Sequence, residues 1–131
     1  MQQTTEIKVR GYHLDVYGHV NNARYLEFLE EARWALFDNK LGELASKGYS
    51  FFVVNINISY RSPATLGDTV VIESKLTRFG GKSGTLTQTM TKKGGDTVVV
   101  EAQVTFVVAG TNGRALPMEG ELKEMLEPFA A

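Results

Sequence analysis

One acid, one histidine and two asparagines are grouped in residues 14–33, LDVYGHVNNARYLEFLEEAR. The acid is Asp15, His19 follows it, and Asn21 and Asn22 come directly before a stretch with helical periodicity. A helix N-terminus presents backbone N–H groups without intrahelical partners and the positive end of the helix dipole. It can therefore bind an anion or stabilise a developing oxyanion. A carboxylate folded back over such an end adds a base or nucleophile, and hydrolysis of an acyl compound requires both parts.

The same residues have structural and metal-binding alternatives. Asp15 and His19 can simply hold a polar loop, and Asn21 or Asn22 can act as a helix N-cap. His13, Asp15 and His19 also form the ligand set of a non-haem iron site, although their sequence spacing is short for such a triad. The chain lacks a G-x-S-x-G elbow, a P-loop and a G-x-G-x-x-G motif. With no cysteine, it also lacks thiolate nucleophiles and Cys ligands for zinc.

Composition and charge narrow the class of protein further. With 131 residues, the chain suits one domain over residues 1–131. Its 14 basic and 15 acidic residues give a net charge of −1, which is no electrostatic basis for binding nucleic acid or a membrane surface. The opening MQQTTEIKVR lacks the apolar core of a signal peptide, and no apolar run approaches membrane-spanning length. We therefore expect a cytoplasmic protein.

A long helix should begin at Asn22 and position these groups. Apolar residues recur there at helical spacing and form one stripe, made of Tyr25, Phe28, Leu29, Ala32 and Leu36. Trp34 falls on the polar side, where it is either exposed or packed against another subunit or a covering segment. Residues 41–48 predict one or two further helical turns ended by Gly48.

Five segments have the pattern of strands. Residues 5–12 alternate, and four longer runs follow residue 49, with turn sequences at 80–82, 92–96 and 111–113. In the first long run, the even positions predict a shared apolar face made of Phe52, Val54, Ile56, Ile58 and Tyr60. Consecutive hairpins favour an antiparallel sheet, against which the helix must bury its stripe. The expected class is α+β, with a short helix within residues 119–129.

Three segments carry a family resemblance. DVYGHVNNARYLEFLEEAR resembles the signature of the hotdog-fold acyl-CoA thioesterases of the 4-hydroxybenzoyl-CoA thioesterase type. NINISYRSPATLGD (55–68) and GGKSGTLTQTM (80–90) are similar to later segments of the same family. The likeness runs from Ile7 to about Leu126, and VRGYHLDVYGHVNNARYLEFLEEARW is most similar to the bacterial long-chain branch linked to fatty-acid β-oxidation.

The resemblance implies a hotdog fold, in which a five-stranded antiparallel sheet wraps one long central helix. It also implies a homodimer with one continuous sheet across the two-fold axis, often assembled into a homotetramer. The sites would lie at the subunit interface and be completed by the partner chain. The implied substrate is an acyl-CoA, with no organic cofactor and no metal.

Carried over by residue, the resemblance makes Asp15 the catalytic carboxylate, which either activates water or attacks the thioester carbonyl directly. The backbone N–H of Asn22 becomes the main oxyanion donor. His19 and Asn21 orient the loop or contact the thioester. Tyr25 either lines the acyl site or belongs to the core.

The remaining candidates concern coenzyme A and the acyl chain. Arg61, Lys82 and Arg78 are candidates for the phosphates, each with a solvated strand-end charge as the alternative. Ser83 and Gly84 are candidates for contacts to the pantetheine arm. An acyl tunnel would be lined by aromatic side chains that core packing explains equally well, namely Phe28, Phe51 and Phe52.

Several functions stay open at this point. The leading hypothesis is hydrolysis of acyl-CoA thioesters, with long-chain fatty acyl-CoA as the substrate. Alternatives are a non-catalytic acyl or acyl-CoA binding module, a thioesterase for an aromatic acyl-CoA or an acyl carrier protein, and a hydratase on the same scaffold. The sequence leaves open the acyl-chain length, the carrier, and the choice between dimer and tetramer.

Overall fold

The computed structural model describes residues 3–130, which form a five-stranded antiparallel sheet around one long helix. The strands are β1 (Gln3–Lys8), β2 (Ser50–Tyr60), β3 (Thr69–Phe79), β4 (Gly84–Lys92) and β5 (Val98–Ala109). The helices are α1 (Asn22–Phe37), α2 (Leu41–Ser46) and α3 (Gly120–Leu126), with 3-10 turns at Gly11–His13, Asp38–Lys40 and Glu127–Phe129. The strand order is β1-β3-β4-β5-β2, and every neighbouring pair is antiparallel. The predicted α+β architecture is confirmed.

Helix α1 begins where its N-cap predicts. The Asn21 Oδ1 accepts from the backbone N–H of Ala23 at 2.9 Å, which supplies one of the acceptors that a helix start lacks. The predicted apolar stripe is buried throughout, from Tyr25 to Leu36. We call the face of the sheet that packs against this stripe the inner face. None of the helices within residues 3–130 combines the length and apolar character needed to cross a membrane.

The core has two adjoining parts along α1. The first half of the helix packs with side chains of β3, β4 and β5, among them Val70, Ile72, Met90 and Val100. The second half packs with the far ends of the same strands and with α3. At that end a Cβ on Gly84 would lie 2.6 Å from Cζ of Phe106, so the ring requires glycine opposite it.

A buried polar cluster lies in this core and was not predicted. The Gln88 side chain on β4 is fully buried, and its Nε2 donates to the backbone oxygen of Leu29 and to Oγ of Ser74, both at 3.0 Å. Its Oε1 accepts from the Arg33 guanidinium at 3.1 Å. Burial lowers the pKa of Arg33 below its ordinary value. Because each buried polar atom of Gln88 has a partner, the cluster links α1 to β3 and β4 without an unsatisfied group.

Two predictions about strands were wrong in detail. The first strand ends at Lys8 instead of continuing to residue 12, because Gly11–His13 is a 3-10 turn. In β2, the even positions do not share one face, since the register against β5 shifts between Val53 and Asn55. This bulge inverts the alternation, so Phe52 and Val54 are 54% and 58% exposed. The short helix predicted within residues 119–129 is confirmed as α3.

The two edge strands of the sheet differ in length and in charge. Edge strand β1 has six residues and carries Glu6, which pairs with Lys93, and Lys8. Edge strand β2 has 11 residues, SFFVVNINISY, without a charge or a proline. Short charged edges resist pairing with another chain, whereas long uncharged edges invite it. The free edge of β2 is therefore a surface suited to pairing with another strand.

Candidate active site

The loop between residues 14 and 21 is closed on itself and packed on a neighbouring segment. Leu14 bridges to Val20, and the backbone N–H of Asp15 donates to the oxygen of His19 at 2.8 Å. Gly18 has a φ of +77°, which favours glycine because L side chains are strained there. The Val20 N–H donates to the Ala64 oxygen at 2.9 Å. The loop is thus fixed against the connection between β2 and β3.

The carboxylate of Asp15 is held in place by the backbone of its own loop. Its Oδ1 accepts from the N–H groups of Tyr17 at 2.9 Å and His19 at 3.3 Å. The side chain is half-buried. Burial raises the pKa of Tyr25, the Ala64 N–H on its hydroxyl opposes this, and the negative charge of Asp15 raises it further. Asp15 therefore lies close enough to the first turn of α1 for its charge to affect Tyr25.

The two asparagines have separate positions at the start of α1. The side chain of Asn21 caps the helix, and its N–H donates to the His13 oxygen at 2.9 Å. Asn22 is the first helical residue, and both asparagines are exposed. Within residues 3–130, no acceptor is assigned to the Asn22 backbone N–H. This N–H is thus available to an anion at the positive end of the helix.

Tyr25 lies beneath the loop and is 3% exposed. Its hydroxyl oxygen accepts from the Ala64 N–H at 2.9 Å, and its ring lies 5.7 Å from that of Tyr60 and 6.4 Å from that of Phe28. These contacts match the core role that the sequence left open for Tyr25.

The two histidines of the metal alternative are in different environments. His13 is 6% exposed, and its Nδ1 accepts from the Arg10 N–H at 2.9 Å. Burial lowers the pKa of His13, and the charge of Arg24 lowers it further. His19 is exposed. Within residues 3–130, no group of three or more His, Cys, Asp or Glu side chains has the arrangement of a metal site.

Arg61 lies on the outer face of the sheet, at the same end as the Asp15 loop. Its neighbour in β2, Tyr60, contacts Tyr25 on the inner face. The Arg61 guanidinium donates to Oε2 of Glu101 from Nε at 3.1 Å and from Nη2 at 3.0 Å, and its side chain is 59% exposed. A polar cavity of about 410 Å³ surrounds the pair, lined also by Asn57, Ser59, Thr87, Thr89 and Gln103.

Lys82, Ser83 and Gly84 lie far from Asp15 within one chain. The Asp15 loop packs beside Ala64 and Thr65, just before β3 begins. The turn with Lys82 follows the end of β3, an 11-residue strand, so about 30 Å of strand separates the two places. The structure therefore groups Asp15, His19, Asn21 and Asn22, with Tyr25 below them, and places the β3–β4 turn at the other end.

An apolar groove lies between α1, α2 and the start of β2. It has a volume of about 680 Å³, and its lining includes Trp34, Phe37, Leu41, Ala45 and Phe51. Of the residues proposed for an acyl tunnel, Phe51 lines this groove, whereas Phe52 is exposed beyond the bulge and Phe28 is in the core. The sequence analysis missed the groove because its walls come from three elements. The one signal for it was Trp34 on the polar side of α1, which is 56% exposed.

Comparisons with known proteins agree on the family. The model of the thioesterase-like superfamily matches residues 9–126. The long-chain acyl-CoA thioesterase FadM of Escherichia coli strain K12 is 53% identical over 126 residues, covering 94% of this chain and 96% of that protein. The crystal structure of YbaW, a probable thioesterase from Escherichia coli, has a TM-score of 0.93 at 51% identity and covers 98% of both chains.

A more distant structure shares the fold. A 4-hydroxybenzoyl-CoA thioesterase variant complexed with 4-hydroxybenzoyl-CoA has a TM-score of 0.85 at 21% identity, covering 96% of this chain and 99% of that one. The hotdog fold expected from the resemblance is thus confirmed.

Proposed function

Since the chain belongs to the thioesterase-like superfamily and is an acyl-CoA thioesterase, we propose that its substrates are long-chain fatty acyl-CoAs. Its products are then a free fatty acid and coenzyme A. The relative FadM is a long-chain acyl-CoA thioesterase, and its similarity extends over almost the whole of both chains. This extent of similarity supports the assignment of long-chain substrates.

One observation carries the mechanistic proposal: a fixed carboxylate and a free N–H share the N-terminal end of α1. Two backbone N–H groups hold Oδ1 of Asp15, and no acceptor within residues 3–130 is assigned to the Asn22 N–H. The thioester carbonyl would lie between them, with its oxygen towards Asn22. An oxyanion donor of this kind is typically worth about 3 kcal/mol in the transition state.

The reaction has two chemically balanced routes from this geometry. In the first, Asp15 takes a proton from water as the water oxygen bonds to the carbonyl carbon. In the second, the carboxylate oxygen bonds to that carbon directly, and water later cleaves the resulting anhydride. In both routes the Asn22 N–H stabilises the oxyanion, the C–S bond breaks, and the coenzyme A thiolate leaves and takes up a proton.

The neighbouring residues have supporting roles in the proposal. His19 orients the carboxylate through its backbone N–H, and Asn21 maintains the helix end by capping it. Arg61 binds a phosphate of coenzyme A. To do so, its guanidinium must either contact Glu101 and the phosphate together or break its ion pair with Glu101. Lys82, Ser83 and Gly84 contact the coenzyme from the partner chain, since their own Asp15 is too far away.

We further propose that the chain forms a homodimer through the free edge of β2. This edge is long and uncharged, and it carries exposed Phe52, Val53 and Val54 in its first half. The partner of this edge is a second copy of the chain, because two identical edges can pair antiparallel about a two-fold axis and satisfy each other's backbone hydrogen-bonding groups. A tetramer and a cytoplasmic location stay predictions.

Thiol release from a panel of acyl-CoAs, short to long and one aromatic, tests the function. Asp15→Asn is the sharpest variant, because its Oδ1 can still accept from Tyr17 and His19 while the charge is lost. We expect kcat/KM to fall at least about 100-fold with an unchanged Tm. Asp38→Asn, at the exposed end of α1, is the matched control. Folded wild type that binds acyl-CoA without releasing thiol would instead be a binding module.

A further inference from the structure

We propose that His13 is a positioning residue for the oxyanion donor and that it sets the direction of the Asn22 backbone N–H through Asn21. The His13 side chain is 6% exposed and packs against Phe28 of α1, so it does not contact the substrate itself. This inference rests on the proposed function, in which the Asn22 N–H binds the thioester oxygen. It gives a role to the histidine that the proposed mechanism leaves unused.

Two hydrogen bonds between Arg10 and His13 close the turn that leads from β1 to the Asp15 loop. The His13 N–H donates to the Arg10 oxygen at 3.0 Å, and the Arg10 N–H donates to Nδ1 of the His13 ring at 2.9 Å. A ring nitrogen accepts a hydrogen bond only when it carries no proton, so the neutral ring has its proton on Nε2. The imidazole therefore supplies an acceptor that an apolar side chain of similar size would lack.

The backbone oxygen of His13 holds the start of α1. It accepts from the Asn21 N–H at 2.9 Å, and the Asn21 oxygen accepts from the Arg24 N–H at 2.8 Å. The Asn21 oxygen and the Asn22 N–H belong to one planar trans peptide group, so they point in opposite directions. The interactions that fix Asn21 therefore also fix the direction of the Asn22 N–H, and the bond to His13 is one of them.

The imidazole ring of His13 is packed from two sides. Its centroid lies 4.8 Å from that of Phe28 on α1, in an edge-to-face arrangement, and 4.2 Å from that of Tyr12 on its own turn. Interiors are close-packed, so a ring that moves displaces its neighbours. A change at His13 is thus transmitted to α1 through the ring as well as through the backbone.

The titratable and charged groups around the His13 ring are Arg24 and Glu27 on α1 and Arg10 and Tyr12 on its own turn. Burial lowers the pKa of the ring most, Arg24 lowers it further, and the smaller effects of Glu27 and Arg10 oppose each other. The folded-state pKa therefore lies below the ordinary value of 6.5, and the ring is neutral at neutral pH. Protonation at lower pH places a proton on Nδ1, which removes the acceptor and loosens the turn that holds α1.

His13→Leu tests whether the ring acceptor positions the N–H. Leucine has a similar size and no acceptor, so we expect kcat for palmitoyl-CoA to fall at least about tenfold while KM changes less than about twofold. His13→Asn places an amide oxygen near the position of Nδ1 and should keep kcat within about twofold of wild type. Gln88→Met is the matched control, because it removes a buried hydrogen bond to the middle of α1 and should lower stability without changing kcat.

The pH profile of kcat gives a readout that a purely structural role would not change. In wild type, kcat should fall as the pH drops through the folded-state pKa of His13, below 6.5, and the fall should be smaller in His13→Asn. Protonation of Asp15 lowers kcat in both proteins alike, so the difference between the two profiles belongs to His13. Each assay is run well below the Tm measured at that pH. This comparison also decides the question if His13→Leu does not fold.

The NMR signal of the Asn22 amide tests the positioning without a substrate. In isotope-labelled wild type, its chemical shift should follow the titration of the His13 ring, and in His13→Asn this step should be absent. An Asn22 signal that ignores the His13 titration would overturn the inference.

The kinetic outcomes are equally decisive. A wild-type kcat in His13→Leu, or pH profiles that coincide in wild type and His13→Asn, would overturn the inference. A loss of kcat in Gln88→Met as large as in His13→Leu would also overturn it, since lower stability would then explain both. Wild type that releases no thiol would instead contradict the proposed function, and the NMR titration would still decide whether His13 holds Asn22.

Discussion

The backbone N–H of Ala64 donates to the hydroxyl oxygen of Tyr25 at 2.9 Å, and both residues are buried. This bond joins the first turn of α1 to the connection between β2 and β3. The same connection accepts a hydrogen bond from the Val20 N–H in the Asp15 loop through the Ala64 oxygen. One buried residue therefore fixes both the helix start and the loop that carries Asp15.

Replacing Tyr25 by phenylalanine should lower the free energy of unfolding by about 1–3 kcal/mol, because the buried Ala64 N–H loses its acceptor. Urea denaturation of the purified variant measures this. Tyr60→Phe is the control: the Tyr60 hydroxyl has no hydrogen-bond partner among residues 3–130, and we expect a change below about 0.5 kcal/mol. Equal changes in the two variants would show that the hydrogen bond from Ala64 to the Tyr25 hydroxyl adds no stability of its own.

His13 should make stability depend on pH. Burial lowers its pKa from the ordinary value of 6.5, so the unfolded chain takes up a proton at this residue before the folded protein does. Its contribution to stability is therefore present above pH 6.5 and is lost as the pH falls through the folded-state pKa. Chemical denaturation at a series of pH values between about 7 and 5 measures the slope.

Two variants test whether His13 causes this dependence of stability on pH. In His13→Asn, an amide oxygen can take the place of Nδ1 as acceptor for Arg10, and we expect the slope to flatten. His19→Asn, which changes the exposed histidine, should leave it as in wild type. The same slope in wild type and His13→Asn would contradict the assignment.

A lysine at the free edge should weaken the dimer. Val54→Lys places two like charges near each other across the proposed two-fold axis, and we expect the dimer Kd to rise at least about tenfold. Sedimentation velocity over a range of concentrations measures it. Thr4→Lys, at the opposite edge on β1, is the matched control. A wild-type protein that is monomeric at all concentrations, or a Val54→Lys variant that dimerises normally, would contradict pairing through β2.

Substitutions of Arg61 and of Glu101 should change KM in opposite directions. If Arg61 meets a phosphate of coenzyme A, Arg61→Ala should raise KM about fivefold with little change in kcat, since an exposed charge contact is worth about 1 kcal/mol. Glu101→Gln should lower KM, because it releases the guanidinium from its carboxylate partner. Steady-state kinetics at low and high salt measure both, and the effects should shrink as salt is added. An unchanged KM in both variants would leave Arg61 as a surface ion pair.

Local spacing was sufficient to predict the elements near the site. The stripe from Tyr25 to Leu36 recurs at the helical period, and an asparagine before it predicts a cap because its side-chain oxygen reaches a free N–H. These are interactions between residues close in the chain. The position of Asn21 and Asn22 at a helix start beside Asp15 could therefore be predicted from the sequence, together with the antiparallel order of hairpins.

Other features depended on residues far apart in the chain. The bulge between Val53 and Asn55 reversed which side chains of β2 face inward, and alternation alone does not indicate where a register shifts. Gln88 was assigned no role because its burial depends on Arg33, Leu29 and Ser74, which reach it from two other elements.

By itself the sequence determined the α+β class, the long helix with its capped start, and the grouping of Asp15 with that start. Only the tertiary structure decided that Lys82 lies at the opposite end of the sheet, that an apolar groove forms beside Phe51, and that the edge of β2 is free. The physical reason is that periodicity reports which face of an element is apolar, whereas the way those faces meet follows from packing of the whole chain.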